Sequence, residues 1–470
     1  MRYPLRALKP WAPLSFLLSG LLFMGCGGGS SSTPAPTPTP VASATQVSWL
    51  QKATVPLASV DPTAPATDLA FLGDVVGNAS IIGLGEASHG SSEFQTMKHR
   101  LFQYLVEQKG ITAFGLEAQM GRCLALDQYV QTGQGDPTQA LIGQGFWVWS
   151  TQEMLDLVNW MQAYNANPAH TAKLHFFGFD MQDGGDEMDQ VLAYLLPIDP
   201  QANATLTQLY APYRPYTWDG GMASYPAATA AVQAQCHANI QQAYQWMVNQ
   251  QAAYSAATGA AAYAWALQMA TVVVQNEAFN AAGTSGMTFQ NLRDQSMASN
   301  ANWYFQQMGA GAKVVLSAHN EHINKKGLYS DWTNFGDWLE QTNGTDYFSL
   351  GFGFDSGSFN AVLVNADGTF GALQANTATP AASNSYECAF TQAGQPMAFM
   401  DMRNLDTTQP GPAWFSQGMD LREVGAAWNP ATGFCVNFTQ LPTRFDAFIF
   451  LQTITPSTFL SRTGKGASSN

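Results

Sequence analysis

Short apolar runs alternate along this chain with longer stretches in which apolar residues recur every three or four positions. The short runs are Ser80 to Leu84, Ile111 to Leu116, Lys173 to Phe179 and Ala312 to Ser317. Each is apolar and brief enough to be a buried strand. The stretches between them carry helical spacing. Over Glu93 to Lys109, Phe94, Met97, Leu101, Tyr104 and Leu105 share one face, and Thr151 to Asn165 repeats the pattern. Strands alternating with helices predict βαβ units. The expected fold is therefore α/β, a mostly parallel central sheet flanked by helices.

From 184 to about 308 the pattern changes. Ala, Gln, Tyr and Met dominate, β-branched runs are few, and several helix-length apolar patterns follow one another. This predicts a large helical insertion or cap, with its Met and aromatic side chains as packing material. Further strands are expected at Tyr347 to Phe354 and Ala361 to Val364, then a turn-rich region. Phe445 to Gln452 reads as a buried closing strand.

Before about residue 45 neither period holds. Arg2, Arg6 and Lys9 precede an apolar run around Leu14 to Met24, and Gly25 precedes Cys26. This is the grammar of an export signal, and Leu22 to Cys26 resembles a bacterial lipobox. The run is too short to span a bilayer. The expected organisation is a lipoprotein signal peptide over 1–25, lipidation at Cys26, a Gly/Ser/Thr/Pro-rich tether over 26–44, and a catalytic domain over 45–460. Membrane contact would pass only through the anchor, and the protein would be extracytoplasmic, in the periplasm or at the cell surface. Four cysteines remain after Cys26, an even number in a compartment that permits disulfides. Cys388 with Cys435 is the favoured pair, with buried thiols as the alternative.

Composition narrows the function further. The 470 residues are 46% hydrophobic, and their net charge is -14 with only 19 Lys and Arg. No basic face is left to neutralise a phosphate backbone, so nucleic acid is excluded as a partner. The expected partner is a small molecule.

In open parallel sheets, functional groups gather beyond the carboxyl ends of the strands. Here the first strand runs into Gly85, Glu86, Ala87, Ser88, His89 and Gly90. The second ends at Glu117 and the third at Asp180, while the fourth runs into His319, Asn320, Glu321 and His322. Each acid alone could be a helix cap. Four strands delivering acids and imidazoles to one edge point instead to a site. His89 can take a proton from water, with Glu86 or Glu117 orienting it, and His319 or His322 can face a developing oxyanion. No Gly-x-Ser-x-Gly elbow supports a serine nucleophile. The same Glu and His residues could instead ligate zinc or manganese in a metal-dependent hydrolase, although no His-Glu-x-x-His pattern is present.

These residues also carry a family likeness. Gly-Glu-Ala-Ser-His-Gly at 85–90, Lys98 to Leu101, Leu116 to Ala118, Trp147 and Trp149 with Thr151 and Glu153 resemble the erythromycin esterase family. So do Gly178 to Gln182, Arg293, Asp294, Met297, Ala298 and Asn300, and Ala318, His319, Asn320 and His322. The likeness runs over about 50–455. It implies a hydrolase of carboxylic esters or lactones that needs no cofactor or metal. His89 would activate water and Glu86 would support it, with Glu117, His319 and His322 in the catalytic pocket. Lys98, Asp180, Arg293 and Asn320 would contact substrate. Glu321 departs from the small or apolar residue expected there and is expected to add negative charge near the site. The export signal also sets this chain apart from the antibiotic-inactivating members, which the resemblance places in the cytoplasm. A second reading keeps the fold without catalysis, as an envelope polysaccharide-associated binding protein.

Overall fold

A computed structural model describes residues 42–217, 224–283, 287–327, 331–431 and 435–461, with the backbone alone for 435–438. The signal segment, Cys26 and most of the tether lie outside the described residues, as does the Cys435 side chain. Cys388 sits in the helix Tyr386–Gln392, where its backbone N–H donates to the Ser385 hydroxyl that caps that helix. The helix Ala44–Ala53 begins at the last position assigned to the tether. Ser43 starts it through a capping box, taking the Gln46 N–H while the Gln46 side chain accepts from the Ser43 N–H.

The described residues cluster into two compact units. Ala118–Arg122 and Gly178–Asn300 form the smaller, and the remainder form the larger. The sheet is mixed, and parallel at its centre. Its strands are β1 (Val55–Pro56), β2 (Ile81–Leu84), β3 (Ala113–Gln119), β4 (His175–Asp180), β5 (Val314–Ser317), β6 (Tyr347–Val364), β7 (Phe370–Ala378), β8 (Met397–Asp401), β10 (Ala427–Trp428) and β12 (Ala447–Ile454). A separate ribbon pairs β9 (Met419–Arg422) with β11 (Cys435–Thr439). The main order is β1-β8-β12-β6-β2-β5-β3-β4, with β7 and β10 also on β6. β12, β6, β2, β5 and β3 run parallel in succession. β8 and β1 complete one edge in antiparallel fashion. The α/β architecture read from the pattern is the one observed.

Every residue of β2, β3 and β5 is buried, which is why these strands read as unbroken apolar runs rather than alternating ones. The two regions expected as separate strands near 347 and 361 form the single strand β6, because its second half pairs with β7 as a hairpin.

The helix Ser92–Lys109 starts under the Ser91 hydroxyl and stops at Gly110, whose φ of 69° is the left-handed cap glycine adopts freely. It buries Phe94, Met97, Leu101 and Leu105 as the spacing predicts, but Phe102 is buried in place of Tyr104. Lys98, His99 and Arg100 are buried as well. Arg100 forms a bidentate pair with Asp68, so this side of the helix faces protein rather than water.

The smaller unit is helical, with Gly185–Leu195, Pro200–Tyr210, Ala230–Asn249, Gln251–Thr258 and Ala260–Ala282, and most of Thr288–Gln307. Its long segment begins inside β4 rather than after it. Met188, Met247 and Met269 lie in its core with Tyr210, Tyr213 and Tyr225.

Candidate active site

Register brings the site together. Leu84 at the end of β2 lies level with Ser317 at the end of β5 and with Leu350 of β6, and Leu116 of β3 is level with the same Ser317. Glu86 and His319, two residues past the ends of β2 and β5, and Glu117, still within β3, therefore stand at neighbouring positions within one or two residues of that line. Backbone bonds hold the first turns together. The Asn320 N–H donates to Glu86 O at 3.0 Å, and the Gly85 N–H donates to Leu350 O at 2.9 Å. The loop after β2 is closed by Gly90, where a Cβ would stand 1.9 Å from the Asn360 carbonyl oxygen.

Glu86 is fully buried and its two oxygens have separate tasks. Oε1 lies 2.5 Å from His89 Nδ1, and Oε2 accepts from Lys98 Nζ at 2.7 Å. Lys98 Nζ also donates to Ser317 Oγ at 3.0 Å. Burial alone would push the Glu86 carboxyl up. The Lys98 charge and the His89 bond outweigh it together and hold the group below its ordinary range. Burial likewise lowers the Lys98 ammonium, with the charge of Glu86 opposing that. The His89 side chain is 11% exposed where that of Glu86 is 0%, so the imidazole and not the carboxylate meets what enters. With Nδ1 directed at a carboxylate, Nε2 is left as the basic nitrogen. The ring stands edge-on to Trp149, centroids 5.7 Å apart, and 5.1 Å from the ring of His319.

Glu117 does not reach for His89. Its Oε2 accepts the His319 backbone N–H at 2.9 Å and its Oε1 lies 3.3 Å from His322 Nε2. Its own carbonyl receives the Trp149 indole N–H at 2.7 Å. Of the two acids open as partners for His89, Glu86 occupies that place. His319 is held neutral: burial first, then the neighbouring His89, lower it to about 3.

Asn320 is buried and braces the loop. Its amide oxygen accepts from Phe352 N and its nitrogen donates to Phe352 O and to both oxygens of Glu423. Glu321 pairs with the buried Arg444 guanidinium, so the added negative charge expected from it is countered where it stands. Asp180 and Arg293 form a pair at 2.7 Å within the smaller unit, where Asp180 also receives the Met181 N–H and the Gln182 side chain. Among the described residues, no group of three or more His, Cys, Asp or Glu side chains is placed to hold one metal ion.

Sequence reading missed Ser317, Arg444 and Glu423. Glu423 follows the short strand β9, and Val424 N donates to Ala87 O, which lays this segment alongside the loop of His89. The strand-end rule that found the other acids would have found Glu423, had β9 been recognised in a turn-rich stretch.

A buried carboxylate here holds a partly exposed histidine beyond the ends of parallel strands, an arrangement chemically suited to general-base hydrolysis. The erythromycin esterase family model matches residues 106–454. The chain belongs to the erythromycin esterase family. It is 23% identical over 377 residues to the erythromycin esterase type II of Escherichia coli, covering 76% of this chain and 88% of that one. A crystal structure of a Bacillus cereus protein matches with a TM-score of 0.78 and 29% identity, over 88% of this chain and 98% of that one. The crystal structure of a protein described as a succinoglycan biosynthesis protein matches with a TM-score of 0.75 and 26% identity, over 88% and 97% of the two chains.

Proposed function

We propose that this hydrolase cleaves carboxylic esters or lactones, with His89 as the general base that activates water. The observation that carries the reading is the 2.5 Å contact between Glu86 and His89 Nδ1. It presents Nε2 as the proton acceptor and supports the imidazolium that forms when water is deprotonated. Lys98 keeps Glu86 charged for that task. The test is a panel of aryl esters and lactones with wild type and His89→Ala. A loss of about a hundredfold or more in kcat with the fold intact is expected, the scale of a missing general base. Turnover unchanged in the variant would reject the assignment.

The likeness to a protein described by succinoglycan biosynthesis favours one other reading, an envelope polysaccharide-associated binding protein without catalysis. Polysaccharide binding that survives His89→Ala, with no ester cleaved by wild type, would favour it. Within the proposal the protein is held outside the cytoplasm by a lipid on Cys26. Mass spectrometry of the mature N-terminus tests this, since Cys26→Ser should abolish acylation and an unmodified N-terminus elsewhere would reject it.

A further inference from the structure

His319 has a fixed proton arrangement that its neighbours impose. The backbone N–H of Glu321 donates to His319 Nδ1 at 3.2 Å. A nitrogen that accepts a hydrogen bond carries no proton, so the neutral ring must bear its hydrogen on Nε2. That Nε2 is buried and has no hydrogen-bond partner among the described residues. The nearest acid is Glu423, whose Oε2 lies 3.7 Å away, beyond hydrogen-bond reach. A buried donor without an acceptor is costly in the free protein, and a donor left open beside a catalytic base is what oxyanion stabilisation requires.

Glu423 is surrounded so that it cannot easily be a carboxylate. It is fully buried, within the influence of the acids Glu321 and Glu387 and the cation Arg444, and its Oε2 lies 3.7 Å from His319 Nε2. Arg444 pairs with Glu321, and among the described residues both oxygens of Glu423 receive only the Asn320 amide, at 3.1 Å each. Arg444 is engaged by Glu321, and Glu387 takes the Arg422 backbone N–H with the Arg422 charge beside it, so both nearby cations are shared with other acids and like charges disfavour ionisation of Glu423. Burial, followed by the charge of Glu321, raises the Glu423 carboxyl well above its ordinary range. An ionised Glu423 would attract the Nε2 hydrogen of His319 and stabilise an imidazolium. A protonated one leaves that hydrogen available.

We propose that His319 acts as a neutral Nε2–H donor to the oxyanion, and that Glu423 is the positioning residue that keeps it so by remaining protonated. This rests on the ester hydrolase reading. As water attacks, His89 Nε2 takes a water proton, the water oxygen bonds to the carbonyl carbon, and the carbonyl π pair moves onto oxygen. That oxygen accepts the hydrogen bond from His319. When the tetrahedral intermediate collapses, the bond to the leaving oxygen breaks and His89 returns the proton to it. His319 loses no proton in either step.

Two measurements test the proposal. The first needs no substrate: nitrogen NMR of histidine-labelled protein, with His319 assigned through His319→Asn. The expected signal is a neutral ring protonated at Nε2 from pH 5.5 to 8 in wild type and in Glu423→Gln, shifted in Glu423→Ala. An imidazolium, an Nδ1–H tautomer, or a His319 signal indifferent to Glu423→Ala would overturn the proposal whether or not esters are substrates. The second is the pH profile of kcat and KM on an ester that wild type cleaves. Glu423→Gln, neutral and of the same shape, should keep kcat within about threefold and lose the alkaline decline that ionisation of Glu423 imposes. Glu423→Ala should lower kcat about tenfold with KM little changed. A folded Glu423→Gln as inactive as His89→Ala would show that the charge is needed and would sink the idea. Failure of every ester with wild type, while the NMR signature holds, would reject the hydrolase reading alone.

Discussion

Gly85 and Asn320 are packed so closely that a Cβ on residue 85 would stand 2.1 Å from the Asn320 amide oxygen. That same oxygen accepts from Phe352 N, so it has no free direction in which to retreat. The contact joins the loop after β2, which carries Glu86 and His89, to the loop after β5, which carries His319 and His322.

Gly85→Ala should therefore disturb both loops. Overpacking of this kind destabilises by about 1–3 kcal/mol, readable as a lowered urea midpoint. Ester turnover should fall further than the unfolded fraction explains, because the 2.5 Å contact of Glu86 with His89 depends on where the loop sits. A variant with wild-type midpoint and turnover would show that the loop relaxes freely.

Lys98→Met removes the cation that acts on Glu86. Burial remains and the largest opposing influence is gone, so the carboxyl rises. A group held low in the folded state supports stability above its unfolded value and loses that support as pH falls. The acidic limb of kcat/KM should accordingly move to higher pH, and breaking the buried pair should destabilise by about 3–5 kcal/mol. Lys98→Arg keeps the charge and should leave the limb near its wild-type place. An acidic limb unmoved in Lys98→Met would separate Glu86 from the rate.

His319 sets an acid-sensitive window. Folded, it is lowered to about 3, chiefly by burial, against an ordinary value of 6.5. The unfolded chain takes up a proton that the folded protein refuses. The contribution of His319 is thus complete above about pH 6.5 and is lost as pH falls toward 3, at up to about 1.4 kcal/mol per pH unit. Between pH 7 and 5, wild type should lose up to about 2 kcal/mol more than His319→Gln, measured by urea unfolding at each pH. Equal losses in the two proteins would contradict a neutral buried ring.

Activity should survive exhaustive chelation. Glu86 is bonded to Lys98 and His89, and Glu117 to the His319 backbone and His322, so these acids have partners other than an ion. Metal content measured beside ester hydrolysis decides the matter. Stoichiometric zinc or manganese, with activity lost on removal and restored on return, would make these residues ligands.

The parallel strands were legible because complete burial writes them as apolar runs. Ile81–Leu84 and Val314–Ser317 fall inside the stretches read from sequence. Their polar successors stood out for the same reason, as the first charges after an apolar run. Periodicity has no access to neighbours far away in the chain. It could not show that β6 folds back on β7, or that Lys98 faces Glu86 rather than water. Nor could it assign His89 to Glu86 over Glu117, since both acids follow apolar runs in the same way, although Glu117 lies within β3 and Glu86 beyond the end of β2. Glu423 escaped because β9 is four residues long, and its nearest functional partner, Asn320, lies 103 positions earlier.

The position of β12 governs how this chain can be made. The strand enters between β6 and β8, parallel to one and antiparallel to the other. Residues 447–454 thus form the seam of the sheet although, among the described residues, they are its last strand in chain order. Until they leave the ribosome, β6 and β8 cannot be bridged, and the nascent protein presents two unjoined strand edges of the kind that invite wrong pairing. A stop before residue 447 would remove the seam rather than trim an edge, leaving the residues around His89 on one side of a divided sheet.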